Sequence, residues 1–387
     1  MKIRSDPALL AEVRKYGNFD TNACFQCGSC TVICNLTNNS ASFPRRIFRY
    51  ALLGLRKPLL NSLDPWLCYY CGDCSTTCPR QAEPAESMMT LRRYLAVQYD
   101  WTGISSKIYK SKAWEIGALT ITAILVLLLA LIYHLNIVGL KFSEFAIEPA
   151  PMGMEHMFNT ITVFTLSIFA ICLFFLISNA VRMFWYTVHK DNKVHIPVLL
   201  YLTEAKTFIS HAITQKQFRE CTDKSRWIKH LLLVSGCVIM FFLLVFFLKW
   251  FQTDNLYPVY HPQRWLGYLA AGALIFATLE ILIGRVRKRE QIHKFSDPTD
   301  WILPVMLLLT AVSGIAVHIF RYLEFSLVAH FTYALHLAIA VPMIVIELPF
   351  GKWTHTIYRP LAIYFQTVKE KALQKQAKKE LILENAG

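Results

Sequence analysis

The chain has 387 residues, of which 55% are hydrophobic and only 17% charged, with a formal net charge of +14. Soluble domains carry about 25% charged residues, so these values exclude an ordinary soluble enzyme, a disordered chain and a small disulfide scaffold. What remains is a membrane protein with a polar module attached, and its excess of base must be explained by where the cations lie.

The polar module comes first, over residues 1–105. Its opening segment, MKIRSDPALLAEVRKYG, lacks the apolar stretch of a signal peptide, and the first long apolar run begins near Trp114. The module is therefore expected on the reducing, cytoplasmic side, where clustered thiolates read as metal ligands rather than disulfides. Eight of the 11 cysteines fall in two blocks, Cys24, Cys27, Cys30, Cys34 and Cys68, Cys71, Cys74, Cys78. Each block has the spacing C-x2-C-x2-C-x3-C, that of paired [4Fe-4S] clusters. Three closely spaced cysteines wrap one cube and the fourth reaches across to the other. The rule predicts one cluster on Cys24, Cys27, Cys30 and Cys78, and a second on Cys68, Cys71, Cys74 and Cys34. Pro79 follows the second block as the motif prefers, but Asn35 stands where the first block would have its proline. Zinc is the competing ion, yet two identical four-cysteine runs offer no obvious pair of C-x2–4-C ligand pairs.

Apolar stretches of spanning length, roughly 20 residues, then recur over 106–360. Six spans are predicted, at about 114–135, 157–182, 230–250, 264–284, 301–321 and 326–350. Connections 182–229 and 285–300 with the tail from 351 hold 21 Lys and Arg, against four in the connections opposite. The positive-inside rule places that richer side, and both termini, in the cytoplasm. The +14 charge is thus mostly a topology signal, not a nucleic-acid footprint. Within 194–227 a partly apolar segment reads as an amphipathic helix at the membrane surface. Residues 361–387 read as a charged, solvated tail.

Histidine inside hydrocarbon is a functional candidate by default. His318 and His336 lie within apolar spans, His230 opens the third, and His355 follows the sixth. Glu280 and Glu347 interrupt apolar runs and are expected to pair with Arg285 and Lys352, or to carry protons.

Two resemblances sharpen this reading. The segments CFQCGSCTVICNL, FPRRIFRYALLGL and PWLCYYCGDCSTTCPRQAEPAESMMTLRRYL resemble the small C-type iron–sulfur subunit of heterodisulfide reductases over about residues 10–100. The segment ALHLAIAVPMIVIELPFGKWTHTIYRPLAIYF resembles the last helix of the respiratory nitrate reductase gamma subunit and related haem b membrane subunits, such as the E-type subunit of heterodisulfide reductases. In those proteins two histidines on one helix each bind a different haem, which implies His336 and His355 here. Depth then implies His230 as partner of His355 and His318 as partner of His336, with His156 in reserve. The third span departs from that pattern in carrying a single histidine.

Together the halves resemble the C-type membrane subunits of the quinone-interacting membrane-bound oxidoreductase (Qmo) complex. The resemblance implies a mainly α fold: a cytosolic two-cluster, ferredoxin-like helical domain fused to a six-helix transmembrane haem b bundle. It implies two [4Fe-4S] clusters, two haems b and menaquinone, with flavin- and iron–sulfur-containing A- and B-type partner subunits (QmoA-like and QmoB-like). The implied role is an electron-transfer subunit, not a complete enzyme, in a bacterial or archaeal cytoplasmic membrane. Its electrons would pass toward adenylylsulfate reductase in sulfate respiration. Two alternatives stand beside it, a passive membrane anchor for an iron–sulfur carrier and the membrane subunit of a heterodisulfide reductase-like complex.

Overall fold

A computed structural model describes residues 4–39, 43–133, 135, 154–190, 196–251, 253, 255–295 and 297–386. Among these residues all regular structure is helical. The longer helices are α1 (Pro84–Tyr99), α2 (Lys112–Tyr133), α3 (Met154–Phe184), α4 (Val198–Thr214), α5 (Lys224–Phe246), α6 (Pro262–Val286), α7 (Thr299–Tyr322), α8 (Ser326–Pro342) and α9 (His355–Ala386). Short helical turns fill the segment before α1.

Six helical segments are long and apolar enough to cross a membrane: Lys112–Ile132, Thr162–His189, Lys224–Phe246, Pro262–Val286, Thr299–Tyr322 and Ser326–Glu347. They show apolar side chains outward, Leu128, Phe174 and Phe246 among them, the inverse of a water-soluble surface. Local signals start them where they start. Asp223 caps α5 by accepting the backbone N–H of Ser225 at 2.9 Å. Pro262 opens α6 at a position where its missing N–H costs nothing. Neighbours in the bundle run α5, α6, α7, α8, α2, while α3 stands against α1, α9 and the bend that follows α8.

The last span corrects the expectation of one helix carrying both His336 and His355. Helix α8 ends at Pro342 and loosens into a π-helical turn, Met343–Glu347, followed by a 3-10 turn, Lys352–Thr354. His355 begins the separate helix α9. Pro342 and Pro349 each lack a backbone donor, and the carbonyl of Pro349 is held by the Asn179 amide at 3.3 Å.

The two halves are not independent bodies. One apolar core joins Trp66, Leu91, Tyr94 and Tyr99 of the module to Met183 at the end of α3, Val188 just after it, and Tyr358, Ala362 and Phe365 of α9. The segment expected as a solvated tail is therefore packed up to Ala372 and, apart from half-buried Gln376, exposed from Leu373 to Glu384. Ion pairs reinforce the joint. Arg93 of α1 reaches Asp300 at the start of α7 at 3.2 Å, and Lys352 binds the same carboxylate. The segment 194–227 does contain a helix, α4, which lies along α9 and exposes Val198, Leu202, Ile209 and Ile213.

Candidate functional site

The two cysteine blocks fold as conformational copies. Gln26 and Tyr70, each two residues past the first cysteine, have φ of 57° and 56°. Gly28 and Gly72, two residues further on, have φ of 93° and 90° and begin the short helices Ser29–Ile33 and Asp73–Thr76. Positive φ at the glycines lets each loop curl around a centre without a Cβ penalty.

Two cavities result, and they sort the cysteines crosswise. Cys24, Cys27, Cys30 and Cys78 line one. Cys34, Cys68, Cys71 and Cys74 line the other. Four thiols round one cavity are the donor set of an iron–sulfur cube. Among the described residues no three His, Cys, Asp or Glu side chains converge on a position for a single metal ion. Donors already surround the sulfurs: the Tyr70 backbone N–H to Cys68 at 3.3 Å and the Ala82 N–H to Cys78 at 3.4 Å.

The environments differ. Cys27 is exposed, and the Ser29 hydroxyl and N–H hold its thiol below the usual range. Burial pushes Cys34 up to about 12 and Cys74 well above its ordinary value. Thiolates at Cys34 and Cys74 therefore depend on cationic charge at the centre of the second cavity for their stability.

Sequence reasoning overlooked a fifth thiol there. Cys221, in the connection between α4 and α5, lines the second cavity beside Cys71. The available signal was that Cys221 alone of the three remaining cysteines stands outside an apolar run. Asn35 is explained by the same connection, since its amide donates to the Glu220 carbonyl at 2.7 Å. A proline could not do this.

From the second cavity an aromatic series leads to the histidines. Tyr69, next to Cys68, stacks on Phe218 with centroids 5.0 Å apart. Phe218 meets the His230 ring at 5.6 Å, and His230 meets His355 at 6.4 Å. Both Nδ1 atoms are engaged, His230 with Gln215 Oε1 at 2.6 Å and His355 with the Lys352 carbonyl at 2.5 Å. Each Nε2 is thereby left as the free ring nitrogen. Burial pushes His355 down to about 3, so its ring is neutral.

Two buried guanidiniums lie nearby. Arg359 donates to the Cys68 carbonyl at 3.0 Å and stands 3.7 Å over the Tyr69 ring. Arg92 donates to the Pro65 carbonyl at 2.6 Å. Arg92 Nη2 and Arg359 Nε have no hydrogen-bond partner. Burial, then mutual repulsion, pushes Arg92 down to about 10.

The other predicted histidines have different surroundings. His318 Nε2 is hydrogen-bonded to the Tyr268 hydroxyl, and its ring packs on Tyr322 at 4.6 Å. His336 Nδ1 meets the Ser313 hydroxyl at 2.9 Å. Ser313 lies five residues before His318 on α7, about 7 Å along the helix. The side chain of His156 lies outside the described residues.

The expected acidic pairings are corrected. Glu280 pairs with Lys229 at 3.2 Å and Arg289 at 3.3 Å, not with Arg285. Glu347 accepts the backbone N–H of Lys352 at 3.1 Å, and its carboxyl stands close to that of Glu115. The Lys352 ammonium goes instead to Asp300. The bend after α8 turns Glu347 back toward α2, which no pattern along the chain reveals.

Residues 23–83 match the 4Fe-4S dicluster domain family, so the N-terminal module is of the iron–sulfur dicluster type. The chain is similar there to a protein of Archaeoglobus profundus that is like the C subunit of heterodisulfide reductase, 38% identical over 77 residues, covering 20% of this chain and 41% of that one. It is also similar to the second C-type iron–sulfur subunit of the CoB–CoM heterodisulfide reductase of Methanocaldococcus jannaschii, 40% identical over 74 residues, 19% of this chain and 39% of the relative. The C2 subunit of the H2/formate:CoB-CoM heterodisulfide, ferredoxin reductase of Methanococcus maripaludis is 38% identical over 74 residues, 19% and 40%. The chain thus spans about two fifths of the length of these relatives. No solved structure matches it.

Proposed function

We propose that the chain is the membrane-bound electron-transfer subunit of a multi-subunit, quinone-dependent oxidoreductase. In this reading Cys24, Cys27, Cys30 and Cys78 hold one [4Fe-4S] cluster, and Cys34, Cys68, Cys71 and Cys74 hold the second. His230 and His355 hold a haem b. Such groups supply reversible one-electron chemistry when bound.

The observation that carries the reading is the His230–His355 pair joined to the second cysteine cavity through Phe218 and Tyr69. A metal–imidazole bond is about 2.0–2.1 Å, and a ring centroid lies about 1 Å behind its nitrogen. Were both imidazoles to hold one iron, their centroids would stand about 6 Å apart, and the observed separation is 6.4 Å. The engaged Nδ1 atoms fix both rings, the arrangement expected of ligating histidine. The unpartnered Arg92 Nη2 and Arg359 Nε would offer positive charge and donors to haem carboxylates. His318 and His336 lack such a match, so the geometry argues for the inner haem alone.

The chain's residues set distance, burial and ligation. The first cavity, with exposed Cys27 and the largely exposed Phe25 and Val32 beside it, suits electron exchange with a cytosolic subunit. The relatives are all named as subunits of reductases or as like one, which supports a complex. Flavin-containing A- and B-type subunits, menaquinol as the membrane-side donor and adenylylsulfate reductase as the destination follow from resemblance to the Qmo membrane subunits. The Lys and Arg distribution supports a cytoplasmic module.

The test is haem and non-haem iron per purified chain, by pyridine haemochrome and iron assay. One haem b with eight irons is the expected result. Eight irons without haem would reduce the bundle to a passive anchor.

A further inference from the structure

The connection between α4 and α5 is pinned to the second cysteine cavity on both sides of Cys221. Before it, Asn35, the neighbour of Cys34, donates its amide to the Glu220 carbonyl at 2.7 Å. After it, the Thr222 hydroxyl donates to Asp73, between Cys71 and Cys74, at 2.7 Å. Arg226 then donates to the carbonyls of Cys71 at 2.8 Å and Tyr70 at 3.0 Å. These bonds present the Cys221 thiol to Cys71 in the wall of a cavity already lined by four cysteines. A clamp of this kind exceeds what closing a loop requires, and each contact reaches a residue that is, or adjoins, one of those four.

We infer that Cys221 is a positioning residue for the second cluster: its S–H donates to the Cys71 thiolate, and the membrane half thereby sets that cluster's reduction potential. A cube needs four thiolates, and Cys34, Cys68, Cys71 and Cys74 already complete the set, which leaves the fifth sulfur to act as a donor. A hydrogen bond to a ligand sulfur favours the reduced, more negative cluster. The potential of the cluster nearest the histidine pair is then linked to the seating of residues 216–226. The inference rests on the two-cluster reading and not on the haem.

The experiment uses full-length protein in detergent, with iron content measured first and each cluster's potential followed by redox titration under electron paramagnetic resonance. Eight irons and two cluster signals in the unaltered protein establish the two-cluster reading separately; fewer would defeat that reading rather than this one. Cys221→Ala should keep eight irons and move one cluster to lower potential by about a tenfold change in its reduced-to-oxidised ratio, about 59 mV for one electron. The other cluster should stay in place. Cys221→Ser, which keeps a donor, should restore most of the shift. An unmoved potential in Cys221→Ala overturns the proposal. So does loss of four irons from either variant, which would make Cys221 a ligand.

Discussion

The imidazoles of His230 and His355 lie 6.4 Å apart between centroids, their planes 58° apart, although one stands in the second turn of α5 and the other begins the helix after the last apolar segment. Among the described residues neither has a carboxylate partner to explain its burial. Replacing either by Ala should abolish the b-type absorption of the purified protein while eight irons remain. Retained absorption in both variants would move the haem elsewhere.

The Tyr69–Phe218 stack lies between the second cavity and that pair. Phe218→Leu forfeits the aromatic pairing, about 1 kcal/mol, and keeps an apolar side chain in place. Iron and haem contents should be unchanged, while cluster reoxidation after rapid haem oxidation should slow in stopped-flow absorbance. An unchanged rate would exclude this series as the connection.

Asp300 is 1% exposed and gathers Arg93, Lys352 and Arg285. Asp300→Asn leaves buried cations uncompensated, a loss of about 3–5 kcal/mol for a broken buried pair. The expected outcome is a markedly lower melting temperature in detergent and release of the module from the bundle, read by limited proteolysis. Lys352→Met removes one of the cations and should cost less.

Iron removal should expose the thiols in a defined order. Reaction requires thiolate; Cys27 is exposed with its thiol lowered by Ser29, whereas burial raises Cys34 and Cys74. Alkylation of chelator-treated protein near pH 8, followed by mass spectrometry, should therefore modify Cys27 well before Cys34 and Cys74. Raising the pH should narrow the difference, because a larger fraction of the buried thiols then ionises.

Some features need no tertiary information. Cysteine spacing predicts the crosswise sorting of cysteines between the two cavities because a loop of Cys-x2-Cys-x2-Cys closes on itself, and the two φ-matched loops follow from Gly28 and Gly72. The six helices that, among the described residues, are long and apolar enough to cross a membrane follow from composition over about 20 residues, a local property. Both signals lie within one stretch of chain.

What only the tertiary structure decided lies between stretches. Cys221 meets Cys71, Asn35 meets Glu220, and Lys352 chooses Asp300 over Glu347, each across a large separation in sequence. The break after Pro342 sets His355 on its own helix, so His336 and His355 no longer share the straight axis that their matching by depth assumes. Side-chain identity states which groups can pair, but burial forces every polar group to find a partner within reach, and reach is set by packing. Local pattern therefore determined the module and the spans, and the closing of one onto the other decided which residues stand at the cluster and which at the histidine pair.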